Sequence, residues 1–245
     1  MIGCISLARE TFDIKFAKKK LVKTKRTIKK LHKNINFFDN LITNDEIGES
    51  ALKHYENSKC TKFIVIQSTF TDAKFISSFV KKFKKPILFI SFKEKRSGGR
   101  LRLNSLCGVN LGLHALIKNK FYSNFIIYTN DEQSFSKEIL KFIKTNNSFT
   151  KKNYLKKINS KLVNKKIIEF KKPKLGLIGE RPEGFDTCDF NNEELKSKFN
   201  AKITKIKLQS LFNIASKVDK KIISKTKKNI SKNLKNTNQV NQECV

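Results

Sequence analysis

The sequence predicts an α/β protein: a flavodoxin-like doubly wound parallel sheet followed by the start of a second α/β domain. Three observations predict it. Five short apolar runs, rich in Ile, Val and Phe, recur over the first 145 residues. Segments with helical spacing and abundant Lys separate them. A further, shorter strand–helix alternation begins after Pro173. Runs that are apolar throughout are what strands buried on both faces require. Strand–helix units in a row place helices over both faces of a parallel sheet.

The first run, Ile2–Leu7, has no basic region before it, and the acids Glu10 and Asp13 follow. It reads as a buried strand and not as a signal peptide. Ile14, Ala17, Leu21, Ile28 and Leu31 then fall on one helix face. Ile35–Phe38 is the second strand. Thr43-Asn44-Asp45-Glu46 reads as a helix start, with Leu52 and Tyr55 on the apolar side. Lys62–Gln67, Pro86–Phe92 and Phe125–Thr129 are the remaining strands of the first domain. Thr71 to Phe83, Ser105 to Ile117 and Glu132 to Ile143 are its remaining helices. Right-handed crossovers put the ligand crevice at the carboxyl ends of the strands, near the reversal of strand order.

These elements divide the chain into an N-terminal α/β domain (1–149), a Lys-rich helical connector (150–173), the beginning of a second α/β domain (174–218) and a Lys/Asn-rich tail (219–245). The second domain offers a strand at Lys174–Gly179, a helix around Asn192–Phe199, a strand at Ala201–Ile206 and a helix around Gln209–Val218. Two strand–helix units cannot close a core, so this domain is expected to be cut off.

Composition bounds the function. Hydrophobic residues form 38% of the chain, including 21 Phe, which suffices for a core. No apolar run approaches the roughly 20 residues of a membrane span. The five cysteines are scattered and form no C-x-x-C pair, so neither a disulfide framework nor a zinc ribbon is expected, and a cytoplasmic location is. The net charge is +32, but Lys is spread along the whole chain and only six basic residues are Arg. A nucleic-acid reader concentrates its charge in a patch or stripe, so no specific nucleic-acid partner is expected.

The strand ends carry the candidate chemistry. Five of the six arginines, Arg9, Arg96, Arg100, Arg102 and Arg181, lie in strand-end loops or in the loop after Gly179. A guanidinium supplies a planar donor fork that Lys cannot reproduce. These arginines either serve the crevice or pair with Glu10, Glu94 and Glu180. Gly98 and Gly99 allow a tight turn, and Asn104 or Ser105 suits a helix N-cap. Gly179 and Gly184 have the spacing of a phosphate-binding loop. Phe185 and Asp186 replace its Lys and Ser/Thr, which excludes nucleotide binding there. His32, His54 and His114 are far apart and have no acidic or Cys neighbours at ligand spacing, so no metal site is expected in this chain.

Four segments taken together resemble a known family: LARETFD (7–13), STFTDA (68–73), PILFISF with RSGGRLRLNSLCGVNLGLHAL (86–92 and 96–116), and LGLIGERPEGFDTCDF (175–190). They are similar to the fucose isomerase-like branch of the L-fucose/L-arabinose isomerase superfamily, over about residues 2–218. The resemblance implies the N-terminal half of an aldose–ketose isomerase, with a sugar substrate and a homo-oligomeric assembly. It implies Mn2+ in the complete enzyme, bound by residues of later domains and not by this chain. A metal of that kind would stabilise enediolate charge while a carboxylate moves the proton. It implies no catalytic residue here, and a substrate-binding role for Arg9, Ser68, Thr69, Gly98, Gly99, Arg100 and Asn104. Two other function classes stand beside it: a non-catalytic sugar-binding module of the same fold, and a basic nucleic-acid-binding protein.

Overall fold

A computed structural model describes residues 1–94, 99–121, 124–145 and 172–233. The chain forms two compact units, Met1–Lys156 with Arg181–Asp189, and Lys157–Glu180 with Phe190–Val245.

The first unit is built on five strands: β1 (Ile2–Leu7), β2 (Ile35–Ile42), β3 (Lys62–Gln67), β4 (Ile87–Ser91) and β5 (Asn124–Tyr128). All pair in parallel, in the order β2-β1-β3-β4-β5. Helices α1 (Ile14–Leu31), α2 (Asp45–Glu56), α3 (Lys74–Phe83), α4 (Ser105–Lys118) and α5 (Glu132–Lys144) connect and cover them. Successive strand residues serve opposite faces. Ile5, Leu7, Phe63, Val65, Ile87 and Phe89 pack under α2, α3 and α4. Ile2, Cys4, Ile64, Ile66, Leu88 and Ile90 pack under α1 and α5. The doubly wound order read from the sequence is therefore the observed one.

Several boundaries differ from the sequence reading by a residue or more, and at three the contacts give the reason. β2 runs on to Ile42, because its pairing with β1 slips: Cys4 faces Phe37, whereas Ser6 faces Leu41. Tyr55 fills the irregularity. Its hydroxyl accepts from the Cys4 N–H at 3.1 Å and donates to the Asn36 carbonyl at 2.8 Å. Helix α3 starts at Lys74 and not at Thr71, since Asp72 Oδ1 accepts the Lys74 N–H at 3.0 Å while the Thr71 hydroxyl is held by Gln67. β4 begins after Pro86, which has no N–H for a ladder but whose carbonyl accepts from Phe63 N–H at 2.9 Å.

Lys62 is a buried strand residue that acts on a distant helix end. Its ammonium donates to the carbonyls of Phe142 at 3.0 Å, Ile143 at 2.9 Å and Thr145. Those carbonyls close α5, where a cation also complements the helix dipole.

In the second unit β6 (Lys174–Ile178) pairs in parallel with β7 (Lys202–Ile206). Helix α6 (Asn192–Phe199) joins them, with the Asn191 side chain accepting from Glu193 and Glu194 N–H. Helices α7 (Leu208–Ala215) and α8 (Lys220–Asn233) follow. The composition of 219–245 did not announce α8; Asp219 starts it by accepting the Lys221 N–H at 2.6 Å. The expected connector, 150–173, lies outside the described residues except for 172 and 173.

Candidate functional site

Strand order reverses between β1 and β3, and the carboxyl ends of these strands are tied together. Ser68 N–H donates to the Leu7 carbonyl at 2.8 Å, and Thr69 Oγ1 accepts the Arg9 N–H at 2.7 Å. The backbone of Arg9 is thus fixed where its side chain leaves the sheet. A cavity of about 110 Å³ opens there, lined by Arg9, Thr43, Asn44, Asp45, Thr71 and Asp72 among others. The Arg9 side chain is 43% exposed and stands 3.8 Å from Asp72 Oδ2. Its guanidinium also lies 5.9 Å from the centre of the Phe70 ring. A pair this open and this long is weak, so both groups remain available to a ligand.

The floor of this region is held from behind by Gln67, whose Nε2 donates to Thr69 O at 2.7 Å and to Thr71 Oγ1 at 2.9 Å. Gly108 of α4 makes room for it, since a Cβ there would sit 2.7 Å from Gln67 Nε2. Ser68 and Thr69 are fully buried. They shape the crevice instead of pointing into open solvent. Ser68 Oγ and Gln67 Oε1 are buried without hydrogen-bond partners among the described residues.

The loop before α4 makes its own contacts. Gly99 has φ +70° with open space around it, and Gly98 and Arg96 lie outside the described residues. Arg100 is exposed; its Nη2 donates to the Thr11 carbonyl at 3.0 Å and its guanidinium covers Phe12. Arg102 grips Asp13 Oδ2 through Nε at 2.9 Å and Nη2 at 2.6 Å, and stacks on Phe16 at 3.9 Å. Arg181 pairs with Asp186 and Asp189. The arginine partners are therefore aspartates; the glutamates named from sequence are used otherwise or not seen pairing among the described residues. Glu94 in particular accepts the N–H groups of Leu103 and Asn104, both at 2.9 Å.

Asn104 occupies the cap position of α4 at φ +50° but makes no side-chain cap bond. The Glu94 carboxylate holds the Leu103 and Asn104 N–H groups ahead of the helix, and the capping role read for Asn104 is corrected: its side chain makes no cap bond. Ser105 is also not a cap. It is buried, accepts the Phe92 N–H at 3.0 Å, meets Ser91 Oγ at 3.0 Å and donates to the Gln67 carbonyl.

Asp13 caps α1 by accepting the Phe16 N–H at 2.9 Å. That bond first, and the Arg102 fork second, hold its carboxyl below the ordinary value of 3.8. A depressed folded-state pKa gives stability that is present above the unfolded value and lost as pH falls through the folded one. Melting temperature against pH should therefore fall less steeply below about pH 4 in Asp13→Asn than in wild type. Equal acid slopes in the two proteins would remove Asp13 from the acid response.

The polar cavity residues that sequence reasoning left out of the site are Thr43, Asn44, Asp45, Thr71 and Asp72. Their signal was position alone, immediately after β2 and β3. Among the described residues no three His, Cys, Asp or Glu side chains come together as a metal site. The donor set for manganese is thus not met by them.

Residues 3–152 match the family described as fucose/sulfoquinovose isomerase, N-terminal domain. The chain is similar to the sulfoquinovose isomerases of Priestia aryabhattai and of Priestia megaterium (strain ATCC 12872 / QMB1551). Each is 28% identical over 208 residues, which is 85% of this chain and 43% of the relative. The sulfoquinovose isomerase of Alkalicoccus urumqiensis is 30% identical over 150 residues, 61% of this chain and 30% of the relative. The chain thus matches less than half the length of these relatives.

Proposed function

Because this chain belongs to the fucose/sulfoquinovose isomerase family through its N-terminal domain, we propose that it is the N-terminal part of an aldose–ketose isomerase. Its role in that enzyme is to hold an open-chain sugar. The observation that carries this role is the cavity at the β1/β3 reversal. Arg9 and Asn44 offer donors there, Asp72 and Asp45 offer acceptors, and Thr43 and Thr71 offer both. A polyhydroxylated ligand needs that mixture. Cavities outside the carboxyl ends of an open sheet, at the order reversal, are where such folds bind ligands.

In this reading Arg9 contacts substrate directly, and Ser68 and Thr69 hold the strand ends that aim it. Gly99, Arg100 and Asn104 lie in the loop before α4 and do not line this cavity; their role, like that of Gly98, rests on the family resemblance. The relatives are named for a sulfonated sugar, and an arginine fork suits such an acid group. By the family resemblance the complete enzyme takes manganese and assembles as a homo-oligomer, and the scattered cysteines suit the cytoplasm. The described residues do not fit the metal, and no chemical step is assigned to them. No helix among the described residues is long and apolar enough to cross a membrane. Scattered Lys favours phosphate contact without base reading, which keeps nucleic-acid binding nonspecific.

The test replaces the corresponding part of the Priestia megaterium enzyme with residues 3–189, so that Arg181–Asp189 stays with its own unit. The chimera is expected to turn over sulfoquinovose, with conversion to the ketose followed by NMR. Arg9→Lys in the chimera should lower kcat/KM at least about tenfold, equivalent to roughly 1.4 kcal/mol, with little change in melting temperature. A lower melting temperature with undiminished kcat/KM would make Arg9 structural and overturn its place in the site.

A further inference from the structure

A second cavity, of about 140 Å³, lies on the other face of the sheet, between α1 and the carboxyl ends of β4 and β5. Phe92 and Phe135 give it an apolar wall, and Lys20, Thr24 and Thr129 add polar groups. The Lys20 ammonium sits over two rings, 5.4 Å from the centre of Phe16 and 5.5 Å from that of Phe92. Among the described residues it has no hydrogen-bond acceptor and no ion-pair partner. Thr24 is buried, and its hydroxyl likewise has no partner among them. Thr129 Oγ1 accepts the Asp131 N–H at 3.0 Å, which leaves its own proton free to donate into the cavity.

The carboxylates at the rim are already engaged. Glu132 pairs with Lys23, and Asp131 accepts the Ser134 N–H at 2.6 Å as the cap of α5. The cavity thus presents two hydroxyl donors and one ammonium that has no ion-pair partner among the described residues, with Glu94 acting on it only at longer range. Its volume is well above the roughly 15 Å³ one water requires.

We propose that this cavity binds a compact oxyanion, a phosphate, sulfate or sulfonate group, held by the Lys20 ammonium and the Thr24 and Thr129 hydroxyls. The flanking rings keep water away from the ammonium, which strengthens a charge-assisted bond to an anion. Burial pulls the Lys20 pKa down, and Glu94 only partly offsets this while Lys23 adds to it. A bound anion would relieve that strain. The site shares no lining residue with the Arg9 cavity, so it stands independently of the isomerase reading.

The experiment is calorimetric titration of the full 245-residue chain with inorganic phosphate and, separately, with methanesulfonate. Salt is kept high enough to screen the scattered surface lysines. Wild type should show one saturable site per chain for at least one probe, and the preferred probe identifies the source of the group. Lys20→Met should weaken binding at least about tenfold, and Thr24→Val about three- to tenfold. Lys18→Met, on the same helix but against a different cavity, should leave affinity unchanged. Without anion, Lys20→Met should melt no lower than wild type, since it removes a poorly hydrated charge; added anion should raise only the melting of proteins that keep Lys20. The proposal is overturned if wild type shows no saturable binding of either probe. It is equally overturned if Lys20→Met and Thr24→Val bind as tightly as wild type.

Discussion

Phe79→Ala is expected to lower the stability of the first unit by about 3–5 kcal/mol, the usual range for truncating a buried aromatic. Phe79 is fully buried in the layer under α2, α3 and α4. Its ring centre lies 4.8 Å from that of Phe63 and 4.8 Å from that of Phe83, and Phe75 is 5.6 Å away. Phe63 in turn meets Tyr55 edge to face at 5.1 Å. One truncation therefore opens a cavity and breaks several aromatic contacts at once. The urea midpoint read by circular dichroism measures the loss. A drop below about 1 kcal/mol would mean that neighbouring rings collapse into the space.

Ser105→Ala is expected to reduce stability by about 2–4 kcal/mol, although it removes a single oxygen. That oxygen takes the Phe92 N–H and gives its proton to the Gln67 carbonyl, so it joins the ends of β3 and β4 to the start of α4. Alanine would leave both buried groups unpaired, at about 1–3 kcal/mol each. Ser78→Ala, at an exposed position of α3, should change stability by no more than about 0.5 kcal/mol. Similar urea midpoints for the two variants would show that water or Ser91 replaces the lost bonds. Because Gln67 also positions the Thr69–Thr71 backbone, Ser105→Ala in the chimeric enzyme should weaken substrate binding as well.

The sheet was legible because burial on both faces favours unbroken apolar runs, as in Phe63, Ile64, Val65 and Ile66 between the polar ends Lys62 and Gln67. β2 was read short because Asp39 and Asn40 interrupt the apolar run where its pairing with β1 slips. The strand continues because Leu41 and Ile42 pair with Ser6 and Leu7 beyond the slip, which only the three-dimensional partner reveals. Helix α8 was missed because Ile222, Ile223 and Ile230 are diluted among lysines. In the site, Arg9 was legible as an arginine at a strand end in a chain that otherwise uses Lys. The sequence reading placed Arg100 and not Arg102 in the site; Arg102 is committed to Asp13, whereas Arg100 donates to the Thr11 carbonyl. Asp72 was not legible: it nears Arg9 only because β1 and β3 are neighbours, 60 residues apart at the Arg9–Thr69 bond.

The first unit takes its last piece from far along the chain. Arg181–Asp189 belongs to it, with the Gly184 carbonyl accepting from Ala73 N–H at 3.1 Å, Phe185 against Phe70, and Asp186 bound to Lys118. Gly184 adopts φ +78° as it passes Asp72, a conformation that favours glycine. During synthesis on the ribosome, where domains begin folding from the N-terminal side, the sheet and its five helices can form as soon as α5 has emerged. The patch around Phe70, Ala73 and Lys118 must then wait, uncovered, until residue 189 is out of the exit tunnel. A protein cut at the family boundary near residue 152 would stay permanently in that nascent state, and would be the form that chaperones and proteases meet first.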